Sequence, residues 1–257
     1  MGEYKQLKYY FDKDLAVSLA DKICPVYPDF RKREFVKDIV LAVKEQELKQ
    51  RVETIADALS RQLPVDYSEA VNILTEILGP ENKKETGMFT EGYWLMPVAC
   101  YVEKYGTEHF DESIQFIEEI TKRHTGEYAI RPFIVTYSSK TLKVMNRWSK
   151  SKHAHVRRLA SEGLRPRLPW AKKISIFSDD PSPVINILEN LKSDRSAYVR
   201  KSVANNLNDF LKENYPWTIS VLKRWREIAS EETRWIIKHA LRNEVKKNNQ
   251  EALKLIR

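Results

Sequence analysis

The sequence contains few cysteines, and the two that it has, Cys24 and Cys100, form no motif. They lie far apart, lack CxxC spacing and have no cluster of histidines beside them. The sequence therefore suggests neither a disulfide framework nor a structural zinc site. We expect a protein of a reducing, cytoplasmic setting, with no metal ion and no cofactor.

Long apolar runs are missing as well. No stretch of about 18 apolar residues, the length needed to cross a bilayer, occurs in the chain. The N-terminal segment is too charged for a signal peptide, and Gln6 stands where a myristoylation motif needs Ser or Thr. We expect no attachment to a membrane.

Strand signals are almost absent, whereas helical periodicity is widespread. Alternating β-branched runs are short, and no Asn-Gly or Asp-Gly turn separates them. Apolar residues instead recur three and four positions apart, as in the series Phe35, Ile39, Val43 and the series Leu48, Val52, Ile55, Leu59. Prolines fall mostly between these patterns. With 42% hydrophobic residues to form a core, the sequence predicts an all-α fold of many short helices.

Charge is unevenly distributed along the chain. Residues 1–126 carry 17 Lys and Arg against 23 Asp and Glu, a net charge of −6. Residues 127–257 carry 27 against 13, a net charge of +14. A positive field concentrated in one half of a protein suits a polyanion such as nucleic acid, although a solvated basic face without a ligand is an equal alternative on charge alone.

A weak repeat gives the helices an architecture. Segments 156–160, 199–204 and 233–240 can be superposed, and their arginines, Arg157, Arg200 and Arg234, lie 43 and then 34 residues apart. These intervals are close to the period of HEAT-type helical pairs, which bury their apolar faces by stacking on neighbours. The sequence thus predicts a superhelical α-α array of HEAT-like repeats over residues 1–257, a single domain with an acidic half (1–126) and a basic half (127–257).

The repeat also predicts which side chains are buried and which are presented. Val156, Leu159 and Ala160 in one copy, and Val199, Val203 and Leu207 in the next, should form the packed stripe. Arg158 and Lys201 should emerge beside that stripe on a concave basic surface. Arg157 and Arg200 have an alternative role, in which they form ladder salt bridges with neighbouring carboxylates.

Three segments carry a specific family resemblance. They are 121–133 (TKRHTGEYAIRPF), 155–170 (HVRRLASEGLRPRLPW) and 198–209 (YVRKSVANNLND). Together they resemble the AlkC-type DNA alkylation repair proteins, and more diffuse similarity extends over nearly the whole chain. The resemblance implies a HEAT-like-repeat DNA glycosylase that removes N3-methylated bases, mainly 3-methyladenine and 3-methylcytosine, from double-stranded DNA without flipping the base.

Within this resemblance, the matching positions imply roles for individual residues. Glu127 corresponds to the catalytic glutamate, Trp170 to the active-site tryptophan and Asp209 to a second active-site carboxylate. Six basic residues are predicted to bind DNA: Arg157, Arg158, Arg165, Arg167, Arg200 and Lys201. Each catalytic candidate has a structural alternative, namely a helix first-turn carboxylate for Glu127, a packing anchor for Trp170 and a surface ion-pair row for Asp209.

The resemblance has limits that shape the functional hypothesis. Many members of the family continue into an immunoglobulin-like domain, and we expect none in this chain, which still reads as helix at Arg257. No lysine is placed by a motif as a Schiff-base nucleophile, so we expect a monofunctional hydrolase. Alkylated duplex DNA is the expected partner of this cytoplasmic, bacterial-type protein, with no obligatory protein partner. The second hypothesis is a non-catalytic scaffold that binds nucleic acid or an acidic protein.

Overall fold

The computed structural model describes residues 5–86 and 89–257. Within these ranges the secondary structure is helical throughout, and the residues divide into two compact units, the first ending at Ile130 and the second comprising Arg131–Arg257. This boundary lies four residues beyond the point at which the charge of the sequence changes sign. The single-domain organisation stays a prediction.

The described residues of the first unit form six α-helices and two 3-10 helices. The α-helices are α1 (Lys13–Ile23), α2 (Lys32–Ala42), α3 (Leu48–Gln62), α4 (Tyr67–Glu76), α5 (Met96–Tyr105) and α6 (Phe110–Thr121), and the 3-10 helices are Leu7–Tyr10 and Tyr93–Leu95. Helices α1, α2, α3, α5 and α6 pack in succession, and α4 packs on α6. The predicted apolar series are buried here, apart from Leu48, which is partly exposed at the start of α3.

The second unit contains nine α-helices in its described residues. They are α7 (Arg131–Thr136), α8 (Ser138–Trp148), α9 (Ala154–Glu162), α10 (Ser182–Glu189), α11 (Ala197–Glu213), α12 (Tyr215–Glu227), α13 (Glu231–Ala240), α14 (Arg242–Lys246) and α15 (Gln250–Ile256). Helix α11 packs between α9 and α13, while α8 and α10 back α9, and α12 and α15 back α13. This is the pairing that a stack of helical repeats requires.

The predicted repeat corresponds to equivalent helix starts. Ser196 caps α11 by accepting a hydrogen bond from the amide of Val199, and Ser230 caps α13 by accepting one from the amide of Thr233. The six stripe residues predicted from the sequence are completely buried between the helices. The repeat therefore fixes both where these helices begin and which face they bury. None of the helices in the described ranges is long and apolar enough to cross a membrane.

Candidate active site

Glu127 lies in the first unit, in the turn between α6 and α7. Its side chain is only 4% exposed. The hydroxyl of Thr125 donates a hydrogen bond of 2.8 Å to Oε2 of Glu127, and the Glu127 amide donates one of 3.3 Å back to the Thr125 oxygen. This reciprocal pair holds the carboxylate in one orientation. Glu127 is therefore a buried, locally fixed carboxylate of a turn, and the helix first-turn alternative does not describe it.

Gly126 determines the path of that turn. A Cβ atom at this position would lie 2.7 Å from Cγ2 of Ile117 and 2.7 Å from Oγ1 of Thr121, both on α6. Such distances are too short for real carbon contacts, so the backbone at Gly126 approaches α6 more closely than any other residue would allow. The position of the Glu127 carboxylate thus depends on a glycine one residue before it.

Asp209 lies on α11 in the second unit and is also 4% exposed. Nε of Arg165 donates a hydrogen bond of 2.9 Å to its Oδ2, and Nη1 of the same arginine donates one of 2.7 Å to Oε1 of Glu162. One buried guanidinium therefore joins two buried carboxylates. The alternative of an exposed ion-pair row does not apply to Asp209, because the surface of α11 at this position is covered.

The environments of these two carboxylates shift their pKa values in opposite directions. Burial raises the pKa of Asp209, and the attraction of Arg165 only partly opposes that effect. Burial also acts to raise the pKa of Glu162, but the charges of Arg158 and Arg165 together hold it below its ordinary value. The two carboxylates thus share Arg165, while their surroundings shift their pKa values in opposite directions. Paired carboxylates separated in this way are typical of catalytic sites.

Trp170 projects from the second unit on the loop between α9 and α10. Its side chain is 66% exposed, so it is no packing anchor. The backbone of Trp170 has a φ of 63°, in the left-handed region that residues with a Cβ rarely adopt. The conformation costs about 1–2 kcal/mol and persists only where the surrounding structure imposes it. A large exposed ring on a strained backbone is a feature of functional sites.

Arg157 and Arg200, two of the predicted DNA-binding residues, make matching contacts with their own chain. Nη1 of Arg157 donates to the carbonyls of Ser151 and Lys152, both at 3.0 Å. Nη1 of Arg200 donates to the carbonyls of Asp194 and Arg195, both at 2.8 Å. Each arginine thus closes the loop five and six residues before it, which is a property of the repeat.

Arg157 makes a further contact with the next repeat. Its Nε and Nη2 donate to the two carboxylate oxygens of Asp194 at 2.6 and 3.0 Å, in a bidentate ion pair. Both side chains are almost completely buried. This is the ladder salt bridge that the sequence left open as an alternative. The geometry of Arg157 and Arg200 therefore favours a structural role over phosphate binding.

Asp194→Ala is expected to lower the free energy of unfolding by about 3 kcal/mol, because it leaves the buried Arg157 guanidinium without its charged partner. Affinity for duplex DNA, measured at constant salt and below the unfolding transition, should stay within about twofold of wild type. Lys201→Ala is the matched control with the opposite outcome, since it should retain stability and reduce the salt dependence of DNA binding by about one phosphate contact. An Asp194→Ala variant that is as stable as the wild type would contradict the structural role of the Arg157–Asp194 ion pair.

Arg158 and Arg165 also have partners within the second unit. The Arg158 guanidinium lies 4.9 Å from the centre of the Tyr198 ring and pairs with Glu162 at 3.5 Å. Arg165 is buried between Glu162 and Asp209, as described above. We therefore expect Arg165 to act on the carboxylates and not on phosphates, which is a different role from the DNA contact predicted for it.

Arg167 and Lys201 remain the exposed members of the predicted DNA-binding set. Arg167 is half exposed and pairs with Glu213, which also pairs with Lys173. Lys201 is exposed on α11 and makes no hydrogen bond or ion pair within the described part of the chain. Of the six residues predicted to bind DNA, Lys201 is the best placed to take a phosphate without breaking an internal contact.

Two features of the site were missed from the sequence. Glu162 was assigned no role, although Arg158 stands four residues before it on α9 and Arg165 stands three residues after it in the sequence. Trp235 was also assigned no role in the site; its ring is 41% exposed, stacks on His239 at 4.9 Å and lies 5.9 Å from the Arg200 guanidinium of the preceding repeat. Trp148 and Trp225, in contrast, are completely buried. Among the described residues, no group of three or more His, Cys, Asp or Glu is arranged to hold a metal ion.

Comparison with known proteins places these observations in a family. A family model described as DNA alkylation repair enzyme matches residues 99–243. The chain is 42% identical over 250 residues to the Bacillus subtilis (strain 168) protein YhaZ, a match that covers 97% of this chain and 67% of that protein. No activity is stated for YhaZ, so this relative supports the family without adding a function.

A solved structure matches the fold closely. The Pseudomonas fluorescens alkylpurine DNA glycosylase AlkC, in complex with DNA containing an abasic-site analogue, has a TM-score of 0.89 and 34% sequence identity to this chain. The match covers 98% of this chain and 68% of AlkC. It confirms the all-α, HEAT-like repeat fold predicted from the sequence. By the extent of these matches, the chain belongs to the DNA alkylation repair enzyme family.

Proposed function

We propose that this protein is a monofunctional DNA glycosylase that hydrolyses the N-glycosidic bond of cationic, N3-methylated bases in duplex DNA. The observation that carries the proposal is the buried carboxylate of Asp209, which is held by Arg165 and has a raised pKa. Burial of a carboxylate costs folding free energy, and buried, hydrogen-bonded acids of this kind are characteristic of catalytic sites. The likeness to AlkC supports the proposal.

The chemistry of such a substrate suits carboxylates. A base methylated at N3 already carries a positive charge, so it leaves without strong acid assistance. Cleavage of its glycosidic bond moves positive charge onto the deoxyribose, as in the oxocarbenium-like transition states of glycoside hydrolysis. Fixed carboxylates beside the sugar stabilise that charge, and preorganised electrostatic groups lower barriers by about 2.7–4 kcal/mol each in comparable cases. No metal or cofactor takes part in these steps.

The contacts of Asp209 suit it to this task. Arg165 holds Oδ2, whereas Oδ1 makes no hydrogen bond within the residues that the structure describes. The free oxygen can face the sugar or orient the attacking water, while the bound oxygen fixes the angle of the carboxylate. Glu127, fixed by Thr125, supplies the second negative charge. We assign Asp209 and Glu127 to stabilisation of the oxocarbenium-like charge.

Trp170 supplies an exposed indole for the cationic substrate. A positive charge over an indole face is stabilised by about 0.5–2 kcal/mol. The backbone of Trp170 is in the left-handed region, so exposure of this ring lowers the stability of the folded protein. The exposed cations Lys201 and Arg167 are assigned to the phosphates of the same duplex.

Trp170→Gly is expected to change stability and activity in opposite directions. The free energy of unfolding should rise by about 1 kcal/mol, because glycine adopts a positive φ without strain and the exposed ring contributes little packing. Base release should slow by about threefold to 30-fold, because the cation-π stabilisation is lost. Trp170→Ala removes the same ring but keeps the strained backbone, so it should lose the activity without the gain in stability. Equal free energies of unfolding for Trp170→Gly and Trp170→Ala would contradict the proposed backbone strain at Trp170.

The substrate class is tested with defined duplexes that differ only in the base. Single-turnover release is measured for 3-methyladenine, 3-methylcytosine and neutral hypoxanthine, each followed by alkaline cleavage at the abasic site. We expect release of the cationic bases, an uncleaved strand before alkali and poor release of hypoxanthine, because the mechanism relies on a charged leaving group and on no base-flipping pocket. Efficient excision of hypoxanthine would contradict the mechanism.

A further inference from the structure

Arg131 is the first residue of α7, and the proposed mechanism leaves it without a role. Its side chain is only 6% exposed. Nη1 donates hydrogen bonds to the carbonyl of Gly163 at 3.2 Å and to that of Arg165 at 2.9 Å. Nη2 donates to the carbonyl of Lys172 at 2.6 Å. A single guanidinium therefore binds three backbone oxygens from two different stretches of chain.

These carbonyls lie at the two ends of the segment that presents Trp170. Gly163 and Arg165 precede it, and Lys172 follows it. The segment lies between α9 and α10, and the amide of Ile174 donates a hydrogen bond of 3.1 Å to the carbonyl of Pro166 across its base. Buried carbonyls in such a loop need donors from elsewhere, because no helix ladder supplies them. Arg131 supplies them on both sides of the loop.

The same contact reaches the proposed catalytic carboxylate. Arg131 fixes the backbone of Arg165, and the side chain of Arg165 holds Asp209 at 2.9 Å. The hydrogen bonds of Arg131 to the carbonyls of Gly163 and Arg165 thus fix the orientation of Asp209. Its hydrogen bond to the carbonyl of Lys172 fixes the turn that presents Trp170. A planar guanidinium with divergent donors can serve both ends at once, whereas the ammonium of a lysine is a single point of attachment.

We propose that Arg131 is a positioning residue, which clamps residues 163–172 so that Trp170 and the Arg165–Asp209 pair keep the geometry the reaction needs. It acts through these residues and does not touch the substrate. The inference rests on the proposed glycosylase function for its catalytic part, while the clamp itself is a property of the loop. Misplacement of catalytic groups by about 1 Å can cost about 100-fold in rate.

Arg51 provides a matched control in the first unit. It is equally buried and also donates to three backbone carbonyls, those of Gln46, Phe11 and Lys44, at 2.8–3.3 Å. Its contacts include no residue of the loop 163–172. Arg51→Lys therefore imposes the same kind of structural damage as Arg131→Lys without touching the proposed clamp.

The test compares Arg131→Lys and Arg51→Lys with the wild-type protein in two assays. Amide hydrogen exchange over residues 163–174 should accelerate at least tenfold in Arg131→Lys and stay unchanged in Arg51→Lys. The single-turnover rate of base release should fall between tenfold and 100-fold in Arg131→Lys, with the Kd for DNA within about twofold of wild type. Arg51→Lys should keep that rate. If Arg131→Lys does not fold, Arg131→Gln, which retains one amide donor group, replaces it.

Unchanged exchange in the loop of Arg131→Lys, or accelerated exchange with an unchanged rate of base release, would overturn the proposal. An equal fall in rate in both variants would overturn it too, because the loss would then reflect general destabilisation. A wild-type protein that releases no base would remove the proposed function itself. The exchange assay needs no substrate, so it still decides whether Arg131 fixes the loop.

Discussion

Glu127→Gln is expected to slow single-turnover base release by about 10²–10³-fold, with the protein in excess over a duplex that carries one N3-methylated base. The substitution removes the negative charge and leaves an amide oxygen that can still accept the hydrogen bond from Thr125. Loss of one preorganised electrostatic group costs about 2.7–4 kcal/mol in comparable enzymes. The Kd for DNA and the melting temperature should remain close to those of the wild type, since Glu127 is proposed to act on the transition state.

Glu119→Gln is the matched control for that variant. Glu119 is a carboxylate of α6 in the same unit, and it pairs with Lys122 and Arg123 near the surface. Its neutralisation removes the same charge from the first unit without altering the turn at Glu127, so the rate should not change. A Glu127→Gln protein that binds DNA normally and releases base at the wild-type rate would exclude Glu127 from the chemistry.

Asp209→Asn is expected to produce a loss of similar size, again about 10²–10³-fold, for the same electrostatic reason. It should also change the pH dependence of the reaction. In the wild type, the rate should fall on acidification as Asp209 takes up a proton, and this acid limb should lie above the ordinary aspartate range because burial raises the pKa of Asp209. In Asp209→Asn the remaining activity should lack that limb. A wild-type rate that is constant down to the ordinary aspartate pKa would contradict this role.

The stability of Asp209→Asn separates catalysis from folding. Because the pKa of Asp209 is raised in the folded protein, folding favours its protonated form, and that contribution is lost as the pH rises through the folded-state pKa. Removal of the charge is therefore not expected to destabilise the protein at neutral pH. The asparagine oxygen can still accept from Arg165, so the free energy of unfolding should stay within about 1 kcal/mol of wild type. A large loss of stability would point to a structural carboxylate.

The double variant Glu127→Gln with Asp209→Asn examines whether the two carboxylates act together. Groups that stabilise one transition state are strongly non-additive, so the double variant should be little slower than the slower single variant. Two independent effects would multiply instead. This measurement bears on the prediction that Glu127 and Asp209 both act on the chemical step.

The helices and their repeat could be predicted from the sequence because their signals are local. Residues such as Val199, Val203 and Leu207 recur at helical spacing, and all three are completely buried in α11. The start of α11 could be read from Ser196 in the same way. The burial stripe and the repeat therefore follow from spacing alone, without knowledge of which helices pack together.

The partners of the charged side chains could not be predicted, because they come from distant parts of the chain. Arg165 contacts Asp209 across 44 positions, and Arg157 contacts Asp194 across 37 positions. From the sequence, both arginines are given the same DNA-binding role as Lys201. Lys201 is exposed, whereas the structure buries both arginines in ion pairs. The family resemblance identified Glu127, Trp170 and Asp209 as candidates, but the strained backbone of Trp170 and the close approach of Gly126 to α6 are visible only in three dimensions.

The proposed glycosylase activity can be measured as free base released from dimethyl-sulfate-treated duplex DNA by the purified protein. We expect 3-methyladenine to appear in solution at a rate that depends on protein concentration, and to be lost with Glu127→Gln while DNA binding is retained. The contradictory result is salt-sensitive binding of DNA with no release of 3-methyladenine or 3-methylcytosine, which would leave a helical scaffold that binds DNA without catalysing its repair.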